Sequence, residues 1–457
     1  MEHITAGQIA AWCEGRILCG NPDARVTAVC VDSRQVQAGS LFVAMPGERV
    51  DGHDYIEKAA AAGATCVISE KEMTVEGCCV ILVENSLKAL QMAARGYRRS
   101  MDIRCVAVTG SVGKTTTKEF LYAVLSSRYH TLKTRGNLNS DSGMPLMAFE
   151  LTKEHEAAVF EMGMNHKGEI AALTKVGKPD LAVITNIGVS HIEHLGSRHN
   201  ILYAKLEIER GLGRNGVMIL NGDDDLLRSV GDKVKHKVVY FGIDNKKALY
   251  RAENICEGDG VTEFDAVTPV GTCRARIRTV GRHNVLNAMA AITVGLYSGI
   301  SLEQSVAALL CFENAAMRQN IYEYNGITVH EDCYNASPDS MKAAFSTVAN
   351  HKGRRVAVIA DMLELGKFAK QMHETVGGYA AGNCDILITY GENSVYYRQA
   401  AEQAGMAKAN IYAATDATEA GKILMGLVRR GDAVLFKGSR GLHTEKVLEI
   451  LKEEWNG

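Results

Sequence analysis

The stretch Cys105–Lys118, CVAVTGSVGKTTTK, constrains the fold more than any other part of the chain. A short apolar run rich in valine ends in a loop with two glycines and leads directly into a helical pattern. In that pattern Phe120, Leu121, Val124 and Leu125 recur on one face. A strand, a glycine turn and a helix N-terminus, in that order, make a cradle for an anion. Gly110 and Gly113 let backbone N–H groups turn inward, the helix start adds partial positive charge, and Lys114 adds a full one. Thr115 would place its hydroxyl on Mg²⁺. Ser111, Val112 and Thr116 complete the loop, and a nucleoside triphosphate is the expected ligand. The loop departs from the usual G-x4-G-K spacing, because Val108 stands where the first glycine would be. A GTPase-type switch is disfavoured: its guanine-reading N-K-x-D pattern is missing, and the nearest stretch is Asn245-Lys246-Lys247-Ala248.

Strand-like runs alternate with helical patterns over most of the 457 residues, the sign of a parallel α/β architecture. At about 100 to 200 residues per domain the length suggests two to four domains. Three fit the breaks best: 1–98, 99–314 and 315–457. The first has strands near Val26 to Val31, Leu41 to Ala44 and Val80 to Val83, and a joint in the polar stretch Arg95 to Arg104. The second carries strands VAVTG, Ala157 to Met162, Leu181 to Asn186, Val217 to Leu220 and Val238 to Gly242. A joint near Glu313 to Met317 precedes the third, with strands RVAVIAD, DILITYG and AVLFKGS. A net charge of −2 argues against a broad cationic surface, so no nucleic-acid partner is expected. No apolar run approaches the ~18 residues of a spanning helix, and the start shows no signal-peptide pattern. The twelve cysteines form no CxxC pair, and Cys66, Cys105 and Cys384 fall in or beside apolar runs. They read as reduced thiols used as small hydrophobes, in a cytoplasmic protein.

A second group of candidates lies just beyond strand ends, where open α/β sheets build their sites. Glu161 ends one strand, and His191 follows another in the loop VSHIEHLG. Either alone reads as a surface residue. Beside a phosphate loop they become plausible ligands for a second Mg²⁺, although imidazole is an unusual partner for so hard an ion. Lys205 lies in the helical stretch SRHNILYAKLEIERGL, where a lysine commonly faces solvent. Facing a metal instead, its ammonium would be repelled by about 8 kcal/mol at ~4 Å and an effective dielectric near 20. Either phosphates sit beside it, or the neutral amine has reacted with CO₂ to give an anionic carbamate.

These and further motifs resemble those of the Mur ligase family, over nearly the whole chain. They include VDSRQVQAGSLFVAMPGERVDGHDYI, VTGSVGKTTTKE, GNLNSDSGMP, EMGMNHKGEI, TNIGVSHIEHLGS and AKLEI, then GRHNVLNAMAA, EDCYNASPDSM, DMLELG and KGSRG. The phosphate loop alone would indicate only the wider superfamily that includes the folylpolyglutamate synthetases. YNASPDSM, DMLELG and KGSRG point to the branch that adds D-alanyl-D-alanine to UDP-N-acetylmuramoyl-tripeptide, and no D-N-P-R motif of the diaminopimelate- or lysine-adding branches is present.

The resemblance implies a three-domain α/β architecture, with a UDP-sugar-binding N-terminal domain, a central P-loop ATPase-like parallel sheet and a Rossmann-like C-terminal domain that closes on the active site. It implies an ADP-forming amide ligase of peptidoglycan precursor synthesis, working through an acyl phosphate. Lys114 and Thr115 would then serve the triphosphate and a metal, Glu161 and His191 would hold Mg²⁺ at two sites, and Lys205 would be carbamylated. Asn284 and Asn287 would lie near adenine. Arg318, Asp332 and Asn335 would close on ATP and the reacting groups. Ser33 and Arg34 would touch the UDP-sugar, and Asn137 and Asn139 the reacting peptide. Three residues depart from the family pattern: Ser140 and Ser337 where asparagine is usual, and Ala360 where glycine is usual. Serine has a shorter reach, so contact between Ser337 and the dipeptide is an open point. The competing readings are a superfamily enzyme with another acceptor and a catalytically silent nucleotide-binding module. A monomer is the default expectation.

Overall fold

Small and β-branched side chains, buried on both faces, build the strands that carry the loop. In the computed structural model, which describes residues 1–457 except 48 and 259, strand β1 (Arg104–Thr109) lies between β2 (Ala157–Glu161) and β3 (Leu181–Ile184), parallel to both. All of β2 and β3 is buried, as a parallel sheet covered by helices requires. In register, Val108 pairs with Glu161 and Thr109 with Ile184, so three carboxyl-terminal strand ends open on one edge. The sheet has nine strands. It extends past β2 to Thr131–Lys133, and past β3 through Val217–Asn221, Lys237–Gly242 and Tyr250–Gly258, still parallel. Val261–Thr268 and Gly271–Ile277 then add an antiparallel edge. Sequence reading missed this edge and the short strand at Thr131.

Helix α1 (Lys114–Ser126) follows the loop, and α2 (Arg198–Leu206) follows β3. Helix α3 (Arg282–Tyr297) lies along α1. Phe120, Leu121, Val124 and Leu125 of α1 share one core with Val285, Met289 and Ile292 of α3, so the amphipathic face fixes where the helix begins and which way its N-terminus points.

The N-terminal sheet has five strands, in the order Arg16–Cys19, Cys79–Leu82, Ala64–Ser69, Ser40–Val43 and Ala28–Cys30. Only Arg16–Cys19 is antiparallel to its neighbour. The single strand expected from Val26 to Val31 is two: Arg25–Val26 pairs with Ile4–Thr5, and Ala28–Cys30 joins the main sheet. The first half of the joint expected at Arg95 to Arg104 is the end of a helix, Ser86–Arg99. There the buried Tyr97 hydroxyl donates to the Leu151 carbonyl at 2.6 Å, and the Arg98 guanidinium donates to the carbonyls of Met101 and Ile103. The polar residues seal a seam, and Ile9, Leu90, Phe149 and Ile170 share one continuous core across it.

The C-terminal sheet has six strands built around β4 (Ile327–Asp332), β5 (Arg355–Ala360) and β6 (Ala433–Lys437), with β6 between the other two. Asn320–Tyr324 forms an antiparallel edge, and Ile386–Tyr390 and Ile411–Ala413 extend the other side in parallel. Residues 313–317 belong to no helix or strand. Among the described residues no helix is long and apolar enough to cross a membrane.

Candidate active site

The loop after β1 turns so tightly that side chains are excluded at two points. A Cβ on Gly110 would lie 1.8 Å from Thr185 Oγ1, and one on Gly113, which has φ +84°, would lie 2.9 Å from Asn287 Oδ1. The strand-end segment Thr185–Ser190 braces the loop. Thr185 Oγ1 donates to the Val112 carbonyl, Asn186 Oδ1 accepts from Val112 N–H, and Ser111 Oγ accepts from Gly188 N–H. Gly113 caps α1, which leaves the first N–H groups of the helix free for an anion. Lys114 Nζ folds back on the Gly110 carbonyl at 2.8 Å. Burial lowers its pKa, with Glu161 opposing the shift. That desolvation sharpens its attraction to phosphate.

Glu161 stands behind the loop and is 1 % exposed. Its Oε1 accepts from Asn139 Nδ2 at 2.7 Å and from Thr115 Oγ1 at 3.2 Å. Oε2 is buried with no hydrogen-bond partner among the described residues, and Lys118 Nζ lies 3.8 Å away. An unpartnered carboxylate oxygen beside a threonine hydroxyl suits a hard cation. Among the described residues no group of three or more His, Cys, Asp or Glu is placed to hold a metal ion. Magnesium accepts such a site, because it keeps several waters and takes one or two carboxylates together with substrate phosphates.

His191 sits in the left-handed region (φ 63°) at the start of a short helical turn. Burial lowers its pKa, which keeps the ring neutral and able to act as a ligand. Its Nδ1 lies 2.7 Å from Glu364 Oε2, in a polar contact outside good hydrogen-bond alignment. The His191 ring holds the Glu364 carboxyl below the usual range. Glu364, in DMLELG, was not singled out in the sequence. Its own left-handed φ of 61° was the one local oddity, and no sequence pattern reveals that.

Lys205 is 1 % exposed, not solvated as a surface-helix reading would have it. Among the described residues its Nζ makes no hydrogen bond or ion pair. Its pKa falls well below the ordinary lysine value, first through burial and then through the charge of Lys114. A neutral amine is what carbamate formation needs, so the environment fits that modification.

Across the cleft, Asp332 ends β4 and Lys437 ends β6, paired in register. Lys437 Nζ donates to Asp332 Oδ2 at 2.5 Å and to the Asn335 carbonyl at 3.1 Å. Arg318 stacks over the Tyr334 ring at 3.9 Å. Ser337 caps the helix Pro338–Val348 by accepting from Ser340 N–H, so its hydroxyl is already engaged. Ser140 likewise accepts from Gly143 N–H.

A cleft of about 490 Å³ joins the two sides. Ser111, Val112, Gly113, Lys114, Thr115, Thr116, Asn139, Glu161, His191 and Asn287 line it from the central unit, and Arg318, Asp332, Asn335 and Ser337 from the other. His283, Gln319, Glu364 and Lys437, not singled out in the sequence, line it too. Gly110, Lys205 and Asn284 are not among its lining residues, although Lys205 is near enough to bear on the titration of His191. Ser33, Arg34 and Asn137 do not line it either. Arg34 is exposed and pairs with Asp32.

Residues 108–295 match the Mur ligase middle domain, 317–440 the Mur ligase glutamate ligase domain, and 25–98 the Mur ligase family catalytic domain. The chain is 36 % identical to the UDP-N-acetylmuramoyl-tripeptide–D-alanyl-D-alanine ligase of Bacillus subtilis, with 98 % of each chain covered. It is 33 % identical to the Escherichia coli enzyme of the same name, with 99 % of each covered. A crystal structure of MurF from Acinetobacter baumannii superposes with a TM-score of 0.93 at 33 % identity, covering 99 % of this chain and all of that one. MurF ligase from Thermotoga maritima, in complex with ADP, gives a TM-score of 0.84 at 30 % identity, covering 94 % of this chain and 98 % of that one.

Proposed function

Because the chain belongs to the Mur ligase family, we propose that it joins D-alanyl-D-alanine to UDP-N-acetylmuramoyl-tripeptide with ATP, forming ADP and phosphate, as the names of its relatives describe. The observation that carries the reading is the shared cleft, with Lys114, Glu161 and His191 on one wall and Arg318 and Asp332 on the other. A carboxylate cannot expel oxide, so its oxygen first takes the γ-phosphoryl group while ADP leaves. The dipeptide amine then attacks the acyl carbon, a proton is lost, and phosphate departs with the former carboxylate oxygen. Positioning and charge neutralisation do most of this work. Lys114 and the N-terminus of α1 receive the phosphates, and Arg318 reaches them from the opposite wall. Bound Mg²⁺ would offset phosphate charge. Thr115 and Glu161 would hold one ion and His191, with Lys205 as a carbamate, a second. Closure of the two walls keeps water from the acyl phosphate.

Ser33 and Arg34 belong to this reading as contacts of the uridine nucleotide, Asn137 and Asn139 as contacts of the peptide, and Asn284 and Asn287 as supports of the adenine end. Domain boundaries near residues 98 and 314, a cytoplasmic location and a monomeric state complete it. The test is ADP release measured with substrates withheld one at a time. Turnover is expected only when ATP, the UDP-tripeptide and D-alanyl-D-alanine are all present. Equal turnover with diaminopimelate or glutamate as acceptor would move the chain to another branch.

A further inference from the structure

Gln319 lies just past segment 313–317, which is neither helix nor strand and links the two walls, and it touches both. Its backbone is left-handed (φ 49°), which turns its side chain toward α3 while its N–H faces β4. The side-chain Oε1 accepts from Asn284 Nδ2 at 2.9 Å, and Nε2 lies 2.8 Å from His283 Nε2. Burial lowers the His283 pKa, so the neutral ring can accept at Nε2. The Gln319 N–H reaches Asp332 Oδ1 at 3.3 Å, and Lys437 holds the other oxygen of that carboxylate.

Behind Gln319 the hydrogen bonds run in one direction. Thr117 Oγ1, on α1, donates to Asn287 Oδ1 at 3.0 Å, and Asn287 Nδ2 donates to Asn284 Oδ1 at 3.3 Å. The two N–H bonds of Asn284 Nδ2 are shared among three acceptors, Gln319 Oε1 at 2.9 Å, Thr279 Oγ1 at 2.9 Å and the Val280 carbonyl at 2.8 Å. The Asn284 amide is therefore fully engaged within the protein, and it is 0 % exposed. Asn287, His283 and Gln319 line the cleft. The relay starts on the phosphate-loop helix, passes the amides at the nucleotide end, and finishes on the Asp332–Lys437 pair of the opposite wall.

We propose that Gln319 is a positioning residue that couples nucleotide occupancy to closure of the C-terminal unit over the cleft. It neither contacts the reacting atoms nor supplies a charge. It holds α3 and β4 in the relation in which Lys114 and Arg318 address one triphosphate. This rests on the ligase reading above, and the two can fail separately.

The test compares Gln319→Leu, which loses both side-chain hydrogen bonds, with Gln319→Glu, which keeps the acceptor for Asn284 and loses the donor for neutral His283. One or two hydrogen bonds across a closing interface correspond to about a tenfold change. Gln319→Leu is expected to raise KM for ATP about tenfold, to leave KM for the UDP-tripeptide and D-alanyl-D-alanine within twofold, and to give a larger radius of gyration with ADP bound. Gln319→Glu should fall between Gln319→Leu and the parent. An unchanged KM for ATP in Gln319→Leu would overturn the proposal. So would an equal rise in all three KM values with a matching fall in melting temperature, which is the mark of general damage. A parent enzyme inactive with the full substrate set would instead sink the ligase reading itself.

Discussion

Replacing Lys205 by alanine separates a structural lysine from a carbamylated one. The truncation removes three methylenes from a site 1 % exposed, which costs about 2 kcal/mol at ~0.8 kcal/mol each. Against that, the buried amine has no partner among the described residues and its desolvation is relieved, so the two effects oppose. Net stability should change by no more than about 2 kcal/mol, a few degrees in melting temperature for domains of this size. The catalytic effect is far larger. A carbamate about 4 Å from a divalent cation gains about 8 kcal/mol at an effective dielectric near 20. Retaining even a third of that, after solvation is counted, corresponds to about a hundredfold in rate. ADP release by Lys205→Ala should therefore fall at least about a hundredfold while the melting curve stays near the parent's. Added acetate or propionate should restore part of the activity by placing a carboxylate in the vacated space. Activity within threefold of the parent, or a large loss with a collapsed melting curve and no response to carboxylates, would refute the reasoning.

Gly110→Ala should abolish ATP turnover while leaving uridine-nucleotide binding intact, because its Cβ would enter Thr185 Oγ1; calorimetry with UDP and with ADP distinguishes the two. Glu364→Gln keeps the shape but removes the charge beside His191, and kcat/KM for ATP should drop about tenfold; a change under twofold contradicts a role for that contact. Burial lowers His330 to about 4, so the folded state binds fewer protons than the unfolded chain, whose histidine titrates near 6.5. Stability then falls as pH drops below 6.5, by about 2 kcal/mol at pH 5. Urea unfolding of His330→Leu should show a pH 7.5-to-5 difference smaller by that amount, and an equal difference would mean other groups dominate.

Much of the site was legible because its requirements are local. The phosphate loop needs glycines at fixed positions and a helix start, and both are written in consecutive residues. Glu161 and His191 were legible as strand-end residues. What escaped depends on tertiary contact. Glu364 reaches His191 only because the two walls meet, and Gln319 acts through a left-handed turn that its own side chain does not announce. Asn284 and Asn287 look like one solvated face of a capped helix, yet both are buried. The antiparallel edge was hidden by its composition. Val261–Thr268 alternates between buried and half-buried residues, but its inward positions are Thr262, Phe264, Ala266 and Thr268, so polar and small side chains blur the apolar period. The expected strand from Val26 failed for the opposite reason: a run that is apolar except at Thr27 spans two pairings with different partners.

The central claim is that ATP transfers its γ-phosphoryl group to the peptide carboxylate before the dipeptide attacks. Supplying UDP-N-acetylmuramoyl-tripeptide labelled with ¹⁸O in its terminal carboxylate, and analysing the released phosphate by mass spectrometry, tests this directly. One labelled oxygen per phosphate is predicted, since the bridging oxygen leaves with phosphorus. Unlabelled phosphate, with amide product formed at the normal rate, would contradict the account.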